Sequence, residues 1–138
     1  MNITEEAAFN SVMHFLHHYE QRNLEACLEA LASTRPLLLM GTNEGEVFRS
    51  VDEVREAFSR DFKQMQNIRW GEPHHVQVTA SDTLASAIIE LPISYETAGK
   101  SEKTLFRHAL TLCRENGDWK VCGGMASVPF SAGTYSFG

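Results

Sequence analysis

Tyr19, Glu46, Asp61 and Arg107 are the residues of this chain whose types bear most directly on chemistry. They offer a phenol, two carboxylates and a guanidinium, groups that hold a proton, release one or fix an anion. Cys122 adds a thiol, but no histidine shares its face in the last predicted hairpin, so an inert side chain is expected. His14, His17 and His18 include the i, i+4 spacing that can clamp a metal ion. On a helical wheel, however, they point away from the apolar face of Ala8, Val12, Phe15, Leu16 and Tyr19, which marks a solvated face instead. His74 and His75 are adjacent, so within a strand they point to opposite sides and do not easily share a ligand. Cys27, Cys113 and Cys122 are an odd set with no export signal, so free thiols are expected, and no metal or other cofactor is implied.

The elements that must position these groups are legible in the periodicity. A capping box, Ser50 with Glu53, opens a helix in which Val51, Val54, Phe58, Phe62 and Met65 form one apolar stripe, with Asp52, Arg55, Glu56 and Arg60 largely off it. Upstream, a helix is predicted over about 3–21, and Asn23 caps a second that carries Leu24, Cys27, Leu28 and Leu31 and closes at Pro36. Residues 37–40 read as a short buried strand and 46–48 as another. After Asn67 the period becomes two. Strands are predicted over 74–79, 84–95, 103–114 and 119–128, separated by turn signals at Ser81-Asp82, Ala98-Gly99-Lys100 and Asn116-Gly117. Three helices followed by a meandering antiparallel sheet make an α+β fold with the helices on one face of a curved sheet.

The 138 residues suffice for one domain, 1–138, with 129–138 as a C-terminal tail. A net charge of −6 with only 12 lysines and arginines lacks the basic footprint of nucleic-acid binding. No apolar run approaches the ~18 residues of a membrane span, and Asn2, Thr4, Glu5 and Glu6 lack the blocks of a secretory signal. Neither nucleic acid nor membrane is an expected partner, and a cytoplasmic location is expected.

The run from Gly41-Thr42-Asn43 through Glu46-Val47-Phe48-Arg49-Ser50 to Asp61-Phe62 resembles the SnoaL-like branch of the nuclear transport factor 2-like (NTF2-like) superfamily. Phe48 stands where the family often carries tryptophan, and Ser50 where it carries glycine. The stretch Asn116-Gly117-Asp118-Trp119-Lys120-Val121 and the finish Ser127-Val128-Pro129 are similar to the family's closing strand. The resemblance spans 8–129 and implies an NTF2-like cone, three N-terminal helices packed on a curved, mainly antiparallel β-sheet. It says little about reaction, because one fold hosts many activities. Many SnoaL-like sequences place a pair of histidines where this chain has Gly123 and Met125. The proton-transfer positions of the superfamily's ketosteroid isomerases fall on Phe15, Gly41 and Ala109, none of which moves a proton, so that isomerase chemistry is not expected.

The last hairpin yields a register. A two-residue Asn116-Gly117 turn pairs Glu115 with Asp118, so Thr111 should face Cys122, Ala109 face Gly124 and Arg107 face Ala126 on one side. Phe106, Leu110, Leu112, Val121 and Met125 belong to the other. The first side is assigned to a pocket beneath the helices, lined by Phe15, Tyr19, Phe58, Phe62 and Trp70, with Arg107, Thr111 and Cys122 as polar points. There Arg107 pairs with Glu46 or Asp61, or with a ligand carboxylate. The apolar second side is assigned to a homodimer interface. The first reading of function is a protein that binds a small, partly apolar or carboxylate-bearing molecule, with catalysis not evident. The alternatives are a lyase, isomerase or hydrolase using Tyr19 with Glu46 or Asp61, and a non-catalytic assembly module like the related association domain of calmodulin-dependent kinases.

Overall fold

The computed structural model describes residues 1–131. Helix α1 (Ile3–Glu20) starts at Asn2, whose side chain accepts from the Glu5 amide while the Glu5 carboxylate accepts from the Asn2 amide. A short α2 (Leu24–Glu29) follows Asn23 as predicted, but it ends at Ala30, before Leu31 and well before the expected close at Pro36. The third helix, α3 (Val51–Gln64), is capped by Ser50, which accepts from the Glu53 amide at 3.1 Å. Its stripe buries Val54, Ala57 and Phe62.

The strands are β1 (Leu38–Met40), β2 (Val47–Phe48), β3 (Gln66–Trp70), β4 (His75–Ala80), β5 (Leu84–Thr97), β6 (Lys100–Glu115) and β7 (Asp118–Ser127). They form one seven-stranded sheet in the order β2-β1-β7-β6-β5-β3, with β4 also on β5. Two hairpin turns have both central residues at positive φ, Ala98-Gly99 and Asn116-Gly117, the left-handed pair that matches strand twist. The sheet is mixed, because β1 runs parallel to β7. Strand β3 has no counterpart in the sequence reading. Residues 37–40 are not buried throughout: Leu37 is, whereas Leu38 and Met40 are exposed.

The register of the last hairpin needs correction. Glu115 pairs with Asp118 and Leu112 with Val121 as expected, but an extra residue at Cys122 bulges β7, so Thr111 pairs with Gly123, Leu110 with Gly124, Ala109 with Met125 and His108 with Ala126. The two faces are also exchanged. Leu110, Leu112, Val121, Ala85, Ala87, Ile89, Leu91 and Ile93 are buried together with Ala8, Val12, Phe15 and Leu16 of α1 in one core. The amphipathic helices thus claim the most apolar side of the sheet, because that pairing removes the most apolar surface from water. Ala109, Thr111 and Arg107 lie on the convex side.

The face left outside is still apolar in one band. Val47 pairs with Met40, Met40 with Met125, Met125 with Ala109, and Ala109 with Ile88, a row across five strands. Ile88 and Met125 are 53% and 48% exposed. No helix among the described residues is long and apolar enough to cross a membrane. Residues 129–131 of the predicted tail are described, and 132–138 lie outside the described residues.

Candidate functional site

A cavity of about 280 Å³ opens between the concave sheet face and helices α1 and α3. Phe15 and Tyr19 reach it from α1, Ala57, Phe58 and Asp61 from α3, and Trp70 from β3. Ile93, Tyr95, Phe106, His108, Leu110 and Ala126 form the sheet wall, and Leu39, Glu46 and Phe48 close the β1–β2 end. The β7 bulge sets Ala126 and Gly124 beside His108 and Leu110, and Met125 also borders the cavity, together with Met40.

Of the expected lining residues, Phe15, Tyr19, Glu46, Phe58, Asp61 and Trp70 are brought together here. Phe62 is not part of the lining; it is buried in the core, its ring 5.1 Å from that of Tyr19. Arg107, Thr111 and Cys122 are corrections. They lie on the convex face, where Arg107 Nε donates to Glu90 Oε2 at 2.7 Å and Cys122 Sγ donates to the Thr111 carbonyl at 3.5 Å. Arg107 therefore pairs with neither Glu46 nor Asp61 and offers no cation to a ligand in the cavity. Glu90 also draws in His74 Nδ1 at 3.5 Å and His75 Nε2 at 3.8 Å, because His74 precedes β4 and escapes strand alternation. Even so, no group of three His, Cys, Asp or Glu among the described residues could hold a metal ion.

The polar centre is a hydrogen bond from Tyr19 Oη to Asp61 Oδ2 at 2.8 Å. Burial raises the Asp61 pKa above the ordinary carboxylate value, with the Glu46 charge adding to it and the Tyr19 hydrogen bond and Arg60 opposing. Burial, and then the Asp61 charge, push the Tyr19 phenol far up, so it stays protonated and donates. No ion pair reaches Asp61 among the described residues. Glu46 is held at the rim by the Asn43 amide, which donates to its Oε1 at 2.8 Å, and by contact with Gly41, where any β-carbon would sit 2.7 Å from that oxygen.

One further polar residue escaped the sequence reading. His108 lies on the concave side and burial lowers its pKa to about 4, so its imidazole is neutral at neutral pH. The signal was the alternation of Phe106, His108, Leu110 and Leu112, once that set is recognised as the covered face. Trp70 stands with its ring 5.4 Å from His108, fixed by its own amide donating to Glu20 Oε2 at 2.7 Å. His108 Nε2 and Trp70 Nε1 are both buried without a hydrogen-bond partner among the described residues. Cys27 is inert, its thiol pushed up to about 12 by burial.

The SnoaL-like domain family matches residues 10–131. Among solved structures, a candidate dehydratase of the NTF2-like family from Streptomyces avermitilis superposes with a TM-score of 0.83 at 13% identity, over 93% of this chain and 98% of that one. A ketosteroid isomerase-like protein from Erwinia carotovora atroseptica gives 0.79 at 15%, over 95% and 100%. An NTF2-like superfamily protein from Salmonella enterica gives 0.81 at 12%, over 95% and 94%. No curated protein matches the chain. At these identities the structural likeness speaks for the fold alone, and it agrees with the helices, the curved sheet and the closing strand described above. The chain belongs to the SnoaL-like domain family and shares the fold of NTF2-like proteins.

Proposed function

We propose that the cavity binds a small, largely apolar molecule and moves a proton within it, as an isomerase or lyase does. The observation that carries this reading is Asp61: a carboxylate on the wall of an open cavity, raised in pKa, orientated by a phenol and without an ion-pair partner among the described residues. A purely structural acid is ordinarily paired or solvated, whereas a raised, positioned carboxylate is suited to general acid–base work. In this scheme Asp61 takes a proton from the carbon beside a carbonyl, the electron pair moves to the carbonyl oxygen, and Trp70 Nε1–H with His108 Nε2 steadies that oxygen. Returning the proton elsewhere completes an isomerisation; expelling a β-hydroxyl as water completes an elimination. The unpaired buried nitrogens support this assignment, because a ligand oxygen would satisfy them.

The test is solvent deuterium incorporation. Beta-tetralone, a bicyclic aryl ketone, is expected to exchange its α-protons in D2O faster with the protein than with Asp61→Asn. Equal rates for the two proteins across a panel of such ketones would overturn the reading.

The same reading takes the protein as a cytoplasmic homodimer that buries the Val47, Met40, Met125 and Ile88 band against a second copy. The continuity of the row and the exposure of its side chains support this reading, because one apolar patch can meet its own copy about a two-fold axis.

A further inference from the structure

We infer that the molecule taken by the cavity carries a protonated amine, held by Glu46 in the negative field that Asp61 adds, with Asp61 left open to take its proton. The inference rests on the reading of the cavity as a small-molecule site and deepens it by assigning the ligand's charge.

The first argument is a charge census. Among the described residues, the lining contains Glu46 and Asp61 and neither lysine nor arginine. Arg107, the cation expected to receive a ligand carboxylate, is on the convex face and committed to Glu90. An anion entering the cavity would add a third negative group where solvent screening is weak, whereas a cation relieves the repulsion that Glu46 already exerts on Asp61.

The second argument is acceptor capacity. Glu46 Oε1 is used by the Asn43 amide and Asp61 Oδ2 by Tyr19, but Glu46 Oε2 and Asp61 Oδ1 accept no hydrogen bond among the described residues. An ammonium group presents three donors and no acceptor, which complements Glu46 Oε2, while Asp61 Oδ1 stays open toward the reacting carbon.

The third is the wall itself. Tyr19, Phe58, Trp70 and Phe106 surround the acids with aromatic rings packed edge to face, such as Tyr19 with Phe58 at 5.1 Å and Trp70 with Phe106 at 5.7 Å. The negative π faces of such rings attract a desolvated cation, and their area receives the apolar remainder of the ligand. The buried Trp70 Nε1–H then finds an acceptor in an oxygen function on the same molecule.

The experiment uses three probes that share a benzyl group and differ in the charge of the end group: phenethylamine, phenethyl alcohol and phenylacetate. Calorimetric titration at neutral pH, with thermal shift as a second readout, is expected to rank the amine about tenfold or more above the alcohol, with no binding of phenylacetate. Glu46→Gln and Asp61→Asn are each expected to cut the amine-to-alcohol ratio to about threefold or less. An alcohol that binds as tightly as the amine, or a ratio unchanged in both variants, overturns the charge assignment and leaves the cavity reading intact. If none of the three binds, the cavity reading falls with it.

Discussion

At the scale of single residues, the cavity sets function against stability at Asp61. Its pKa is raised, so the folded state holds the proton more tightly than the unfolded chain does. The sign follows: this group favours folding at pH values below the ordinary carboxylate value of 3.8, and the advantage disappears as pH rises through the folded value, leaving an unfavourable buried charge at neutral pH. Asp61→Asn keeps an acceptor for Tyr19 and removes the charge. A higher melting temperature at neutral pH is expected for this variant, alongside loss of deuterium exchange, and differential scanning calorimetry checks it. A lower melting temperature would show that the carboxylate is structurally required. Tyr19, Glu46 and Asp61 were legible from type and spacing as candidates to line the cavity, because each sits on or beside an element read from the sequence, whereas Trp70 was named without the strand, β3, that carries it. His108 was not, since alternation identifies two faces of a strand without saying which one the helices cover.

At the scale of elements, two local devices hold the wall of the site. The end of β6 is pinned by Glu115, whose carboxylate accepts from the Ser33 amide at 3.0 Å and the Thr34 amide at 2.9 Å, as well as from both hydroxyls. The Thr34 hydroxyl first, and then the two amides, lower its pKa from 4.5 to about 2. A depressed carboxylate contributes stability that is fully present above 4.5 and lost as pH falls through about 2. Glu115→Gln should therefore melt lower than the parent at neutral pH, with the gap closing over that acidic window; a gap independent of pH would contradict the clamp. The second device is the β7 bulge. Gly124 has φ 142°, and a β-carbon there would lie 2.3 Å from the Ala109 carbonyl oxygen. Gly124→Ala is expected to destabilise by at least ~2 kcal/mol in urea denaturation, since neither the backbone angle nor the space admits a side chain. No turn residue announces this bulge, and a hairpin rule extrapolated from Asn116-Gly117 runs past it unaware.

At the scale of the whole molecule, the sheet is asymmetric in its use of apolar surface. One face receives the helices and encloses the cavity; the other carries the band from Val47 to Ile88. If a second copy covers that band, a charge placed in its middle must disrupt it. Ile88→Lys is expected to convert a dimer to a monomer in multi-angle light scattering, with little loss of monomer stability because Ile88 is already 53% exposed. A parent protein that is monomeric at micromolar concentration would remove the dimer from the proposal.

Sequence by itself determined the helices, the caps at Asn23 and Ser50, the four long strands and the family, because these depend on short-range hydrogen bonding and on hydrophobic period, which neighbouring residues carry among themselves. It also put Tyr19 on the apolar side of the first helix and named Asp61 as a candidate acid, and both line the cavity. Tertiary structure alone decided which sheet face lies under those helices, and so sent Arg107 outside and His108 inside. The reason is that both faces of β6 are passable in isolation, and the choice between them is a global minimisation of exposed apolar area over helices and strands far apart in the chain.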